Sequence, residues 1–176
     1  MKMSPANRLK GEISLPGDKS ISHRAAIISA MAEGSCRIEN FATSADCAST
    51  IECLRRLGVE IEQSGTTVTV LGRGKRGLRK PSHVLDCGNS GTTMRLLTGI
   101  LSGQEFESVL TGDKSLSNRP MKRIIEPIES MGGSVESEDG HAPLVVRGSS
   151  ALTGIRHALT IPSAQVKSCV LLAGLN

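Results

Sequence analysis

The sequence predicts an α/β (α+β) chain of repeated βαβαββ subdomains, two of them whole and a third only begun. Three observations carry that expectation. Apolar residues recur at helical spacing in some segments and alternate in others, with Gly, Ser and Asp between them. The same order of segments returns about seventy residues later: Arg24 and Arg95 are 71 apart, Gly58 and Gly132 are 74 apart, and Gly72 and Gly148 are 76 apart. At 176 residues, with 38% hydrophobic and 22% charged residues, the chain can bury a core without disulfides or metal. A period this long is a duplicated subdomain rather than a solenoid repeat.

The elements follow in order. "GDKSISHR" (17–24) is a small polar turn that runs into a helix over 22–32, with Ala25, Ile28, Ser29 and Ala32 at helical spacing and a stop at Gly34. "CRIENF" reads as a short strand. "TSAD" offers Ser and Asp as caps for a second helix, "CASTIECLRRLG", with Ile51, Leu54 and Leu57 on one face. "VEIEQ" and "TVTVLG" alternate and form a strand pair across "SG". The basic run "GRGKRGLRK" (72–80) reads as a solvated connector.

The second pass begins at "GNSGTTMRLLTGILSG", a turn and helix, followed by the strand "FESVLTGD". "RPMKRIIEPIESMGG" is a helix with Pro120 at its first position, which places Arg119 at a helix start. "SVESEDGHAPLVVRG" is again a strand pair. A third unit opens at "IPSAQVKSCVLLAGLN" (161–176), where Lys167 lies 72 residues after Arg95. The repeats are therefore read as about 17–80, 81–150 and 151–176. A lone apolar helix, "VLLAGL", leads to the expectation that the sequence is a fragment, or one polypeptide of an assembly.

Composition excludes several functions. With no Trp, no Tyr and only Phe41 and Phe106, the chain has no aromatic platform for stacking bases, so no nucleic-acid partner is expected. Cys36, Cys47, Cys53, Cys87 and Cys169 contain no C-x-x-C pair, and His23, His83, His141 and His157 are scattered. Neither a disulfide framework nor a metal site is expected, and no cofactor. The first residues lack a signal-peptide core and no apolar run is long enough to span a bilayer, so no membrane partner is expected and the chain is read as cytoplasmic.

The chemistry lies at the helix starts, where unpaired N–H groups and a partial positive charge favour phosphate or carboxylate. Lys19, Ser20 and Arg24 can converge on one anion. Asn89 and Ser90 can cap while Gly91 leaves room for a ligand against the backbone. Arg95 either reaches the same cleft or neutralises buried carboxylates. A single such turn is ordinary capping; three in register within a repeat argue for one shared surface. "GDKS" lacks the preceding glycine spacing of a nucleotide P-loop.

"LPGDKSISHRAAIISAMAEG", "DCGNSGTTMRLLTGIL", "LTGDKSLSNRPMKRIIEPIESMGG" and "IPSAQVKSCVLLAGLN" together resemble the 5-enolpyruvylshikimate-3-phosphate (EPSP) synthase family over nearly the whole chain. The resemblance implies the enolpyruvyl transferase fold, with two lobes of three βαβαββ units each. Residues 1–16 would then supply a first strand of the other lobe, and 17–176 an incomplete substrate-binding lobe. It implies transfer of the enolpyruvyl group of phosphoenolpyruvate to the 5-hydroxyl of shikimate 3-phosphate, with no metal. Carried over motif by motif, Lys19, Ser20, Arg24, Ser163, Ala164 and Gln165 would hold shikimate 3-phosphate, and Lys19, Gly91, Arg119 and Gln165 phosphoenolpyruvate. The family's acid and base residues belong to its second half, which would lie beyond Asn176, so no catalytic residue is assigned here. The chain is expected to be inactive alone and to need a complementary C-terminal chain. Leu96 and "SAQVK" resemble the subgroup often tolerant of glyphosate, although Gly91 is retained. Two other readings are a related transferase acting on a UDP-sugar, and a non-catalytic anion-binding half of a split protein.

Overall fold

The computed structural model describes residue 8 and residues 10–159 and 161–176. Its elements alternate as the sequence patterns require. Helix α1 (Lys19–Met31), strand β1 (Glu33–Ile38), helix α2 (Ala45–Arg56) and the hairpin β2 (Glu60–Ser64) and β3 (Thr67–Arg73) form a first group. Strand β4 (Leu85–Asp86), helix α3 (Gly91–Leu101), strand β5 (Glu107–Thr111), the one-turn helix α4 (Lys114–Ser117), helix α5 (Lys122–Ser130) and the hairpin β6 (Ser134–Glu138) and β7 (His141–Arg147) form a second. Helix α6 (Ala164–Ala173) follows. The first strand expected within 1–16 lies partly outside the described residues, and 10–18 carry neither helix nor strand.

Two sheets result. The first is antiparallel with order β1-β3-β2; the second has order β4-β5-β7-β6, with β4 parallel to β5 and the other pairs antiparallel. The order β5-β7-β6 is that of β1-β3-β2, element for element. In each hairpin, alternation puts one face into the core: Ile61, Val68 and Val70 in the first, Val135, Leu144 and Val146 in the second. Asp139 (φ 50°) and Gly140 (φ 76°) make the tight turn of the second hairpin, the Asp-Gly pair supplying two left-handed residues.

Helix α3 is the centre of the molecule. All its residues are buried except Thr92 and Arg95, which are half-buried, and it packs against α1, α2, α5, α6, β5 and β7. Its sequence, GTTMRLLTGIL, is apolar or small almost all round, as an enclosed helix requires. Around it the core is aliphatic, Phe41 being the one fully buried aromatic ring.

Several expectations shift. Helix α1 starts at Lys19 rather than Ser22, because the Asp18 carboxylate accepts the Ile21 N–H at 2.7 Å. Lys19 and Ser20 therefore sit in the first helical turn. Its buried face is Ser22, His23, Ala26, Ile27 and Ala30; Ile28, placed on the core face by spacing, is 55% exposed. Alanine and serine fall on several sides of this helix, so spacing alone could not select the face that packs. Strand β1 lies three residues before the expected "CRIENF", in the register that pairs Glu33 with Arg73 and Ile38 with Val68. Pro120 does not open a helix: α5 begins at Lys122, and Arg119 and Pro120 lie in the link from α4. Helix α4 itself has no counterpart in the sequence reading; Asp113 caps it by accepting the Leu116 N–H at 2.8 Å.

No helix among the described residues is long and apolar enough to cross a membrane. Among the same residues no cluster of His, Cys, Asp and Glu could hold a metal ion.

A candidate anion site at four helix starts

The starts of α1, α2, α3 and α6 meet on one side of the molecule. Each is capped by a side chain, Asp18, Ser44, Ser90 and Ser163 respectively. Cross-links identify the neighbours. Lys19 Nζ on α1 contacts Asp46 Oδ2 on α2 at 2.7 Å. Arg24 on α1 reaches α6, donating to Ser168 Oγ from Nε at 3.2 Å and Nη2 at 2.8 Å. Arg95 Nη1 on α3 donates to Gln165 Oε1 on α6 at 2.8 Å, and Gln165 Nε2 donates to Thr92 Oγ1 on α3 at 2.9 Å. Four bundles of unpaired N–H groups thus share one surface, the arrangement that attracts anions.

The guanidinium groups are arranged without acidic partners. Arg95 is held below the ordinary arginine range, first by burial and then by the charges of Arg119 and Arg123. Among the described residues no carboxylate pairs with Arg24, Arg95, Arg119 or Arg123. Of the two roles open to Arg95, it therefore takes the cleft rather than a buried carboxylate. A hollow of about 180 Å³ lies between Arg95, Arg123, Ser163 and Gln165.

The loops before α3 and around α4 are themselves braced. Arg119 donates to Asn89 Oδ1, and Asn89 Nδ2 donates to Asp113 Oδ2 at 2.7 Å. That bond, followed by the Leu116 N–H, holds the Asp113 carboxyl below its ordinary value. Gly91 is the first residue of α3; a Cβ built there would lie 2.6 Å from Arg95 Nη1 and 3.4 Å from Arg119 Nη1. Gly91, Arg95 and Arg119 therefore border one space.

Of the residues singled out from sequence, Arg24, Ser163, Ala164 and Gln165 come together through α6, and Gly91 and Arg119 through the α3 start. Lys19 is held by none of these residues: its ammonium is paired with Asp46, which raises its pKa above the ordinary lysine value. Ser20 is exposed, and its carbonyl accepts from Arg24 Nη1 at 3.0 Å. Asn176, beyond which the sequence reading put the family's acid and base residues, takes no part in the anion surface. It lies past the far end of α6, where its Oδ1 accepts from Gln104 Nε2 at 3.2 Å and its Nδ2 donates to the Leu172 carbonyl at 3.4 Å. Helices α3 and α6 run side by side, so these contacts tie their last turns together, opposite the anion-facing starts.

Sequence reasoning missed Asp46 as a partner of Lys19, having taken it as a cap candidate. It also missed Thr92, Ser168 and Arg123. Nothing local marks Thr92 or Ser168, because their partners lie 73 and 144 residues away.

Three comparisons bear on this site. The family profile of EPSP synthase (3-phosphoshikimate 1-carboxyvinyltransferase) matches residues 3–176. The chain is 58% identical over 176 residues to a 3-phosphoshikimate 1-carboxyvinyltransferase of Herpetosiphon aurantiacus, covering 99% of this chain and 41% of the relative. It is 52% identical over 174 residues to that of Koribacter versatilis, covering 99% and 40%. An EPSP synthase structure from Acinetobacter baumannii superposes with a TM-score of 0.90 at 46% identity, over 94% of this chain and 38% of that one. The chain thus spans about two-fifths of the length of the relatives it matches.

Proposed function

The chain belongs to the EPSP synthase family, and from that premise we propose that it carries the shikimate-3-phosphate part of an enolpyruvyl transferase site. In the complete reaction the 5-hydroxyl of shikimate 3-phosphate gives up its proton and adds to C2 of phosphoenolpyruvate while C3 takes a proton; the tetrahedral adduct then loses phosphate from C2 and a proton from C3, which restores the double bond. Lys19, Ser20, Arg24, Ser163, Ala164 and Gln165 border the shikimate 3-phosphate, and Lys19, Gly91, Arg119 and Gln165 the phosphoenolpyruvate. The observation that carries this reading is the set of arginines on converging helix starts without carboxylate partners. Two multiply charged anions brought together repel, and fixed cations offset that repulsion while holding the reacting atoms close.

No residue up to Asn176 is assigned as acid or base. Proton transfers of this kind contribute roughly 10² to 10⁴ each, so the chain alone is expected to turn over too slowly to detect. The arrangement of helices supports a three-unit lobe. Helix α2 lies against α1 and α3, and α5 lies against α3 and α6, while α6 and α1 are separated by an apolar groove of about 330 Å³ that includes Ile27, Ile28, Leu171 and Leu175. We propose that a second helix of a third unit fills this groove, supplied by the part of the full-length relatives that this chain does not cover. Mixing the chain with that region of the Herpetosiphon relative is expected to restore phosphate release. Turnover by the isolated chain, or none from the mixture, would count against this assignment.

The direct test of the half-site is calorimetric titration with shikimate 3-phosphate. Binding is expected for the native chain and a loss of about tenfold or more in affinity for Lys19→Ala and for Arg24→Ala, as for a charge-assisted hydrogen bond removed from an anion. Absence of binding by the native chain overturns the reading. Gly91→Ala is expected to fold normally, because the close atoms are the ends of flexible arginines. It should weaken phosphoenolpyruvate binding to the complemented enzyme several-fold while leaving shikimate 3-phosphate affinity unchanged.

A further inference from the structure

Beneath the anion site runs a line of buried polar groups that substrate binding does not account for. His23 on α1, Thr50 on α2, and Thr93 and Ser90 at the start of α3 are each 3% exposed or less. His23 Nδ1 lies 2.7 Å from Thr50 Oγ1, Thr50 Oγ1 lies 2.7 Å from Thr93 Oγ1, and Thr93 Oγ1 lies 2.7 Å from Ser90 Oγ. Thr93 Oγ1 also donates to the carbonyl of Asp46 at 3.3 Å, and Ser90 Oγ accepts the Thr93 N–H at 3.1 Å. Four polar side chains in an aliphatic interior are costly unless every one is paired. Valine has the shape of threonine and no such demand, so stability alone does not call for hydroxyls here.

Their placement gives them a second role. His23 is one helical turn after Lys19, Thr50 is one turn after Asp46, and Thr93 is two residues after Gly91. Asp46 holds the Lys19 ammonium through its carboxylate and the α3 start through its carbonyl. The height and rotation of three helix starts are therefore fixed one against another through Thr50 and Thr93. Apolar packing sets distance but tolerates sliding of one helix along another; directional bonds do not.

We infer that Thr50 and Thr93 are positioning residues for the anion site: their hydroxyls lock α1, α2 and α3 in the register that aligns Lys19 and the Gly91 turn. The inference rests on the proposed half-site for its ligand but not for its geometry. Asp46 is the joint, since it answers to Thr93 on one side and to Lys19 on the other.

The test uses the native chain, Thr93→Val, Thr93→Ser and Thr50→Val, with two readouts: affinity for shikimate 3-phosphate and amide hydrogen exchange resolved along the sequence. Both valine variants are expected to lose about tenfold in affinity, and Thr93→Ser to stay within about threefold of the native chain, because serine keeps the hydroxyl. Exchange in Thr93→Val should accelerate at the starts of α1 and α2 as well as α3. If the faster exchange is confined to α3 in Thr93→Val and to α2 in Thr50→Val, the inference is wrong. It is equally wrong if exchange spreads but the affinity of the native chain is kept. Should the native chain bind no shikimate 3-phosphate, the half-site fails and the exchange pattern alone decides the positioning role.

Discussion

Gly99→Ala is expected to destabilise the chain by about 2 to 3 kcal/mol, although alanine is the better helix former by about 1 kcal/mol. Gly99 lies in the middle of α3, and a Cβ built on it would stand 2.3 Å from the carbonyl oxygen of Cys169 and 3.1 Å from its Cα. Those atoms are backbone of α6, so nothing flexible can give way. The two helices would have to separate, and with them the Arg95–Gln165 and Gln165–Thr92 bonds that join α3 to α6. Gly174→Ala is the internal comparison. It follows α6 at φ −73°, and its nearest neighbour would be 3.5 Å away, so that variant should match the native chain within about 0.5 kcal/mol. Urea titrations of the three proteins measure the difference. Equal midpoints for Gly99→Ala and the native chain would mean that α3 and α6 do not pack as described.

Acid should weaken the fold by way of His23 well before the carboxylates titrate. Burial, reinforced by the charges of Lys19 and Arg24 and partly opposed by Asp46, lowers the His23 pKa to about 4 from an ordinary 6.5. The unfolded chain therefore binds a proton that the folded chain refuses. The stability that depends on a neutral His23 is complete above pH 6.5 and is lost as pH falls towards 4. The loss amounts to roughly 2 kcal/mol by pH 5 and about 3 kcal/mol at pH 4. In His23→Asn the amide can still bond Thr50 but does not titrate, so its denaturation midpoint should stay level between pH 7 and pH 5. An equally steep decline in that variant would place the acid sensitivity elsewhere.

Both predictions come from contacts between elements, and that marks where sequence reading stopped. The second helix, the first hairpin and the α3 start were legible because their signals are local: Ser44 and Ser90 as caps, alternation in "TVTV". Helix α1 was legible as a helix but not in its orientation, since Ala25, Ala26, Ile27 and Ile28 offer apolar surface on several sides. The helix start at 119–122 was misplaced because Pro120 is compatible with a link as well as with a first turn. Gly91, Arg24 and Gln165 could be nominated from their motifs, whereas Thr92, Ser168 and Arg123 lie in the same motifs but gain their part from partners distant in sequence or from the charge of a neighbouring arginine.

What the sequence determined by itself was periodic: helix, strand and turn types, the recurrence of their order, and a set of helix starts rich in small polar and basic residues. These depend on neighbours three or four residues apart, or on alternation, and so survive in one dimension. Which side of α1 faces inward, that Arg95 meets Gln165 instead of a carboxylate, and that His23, Thr50 and Thr93 form one line were decided only by the tertiary structure. Those facts join residues 27 to 70 positions apart. They follow from burial and close approach, and packing α1, α2 and α6 around α3 is what brings such residues within bonding distance.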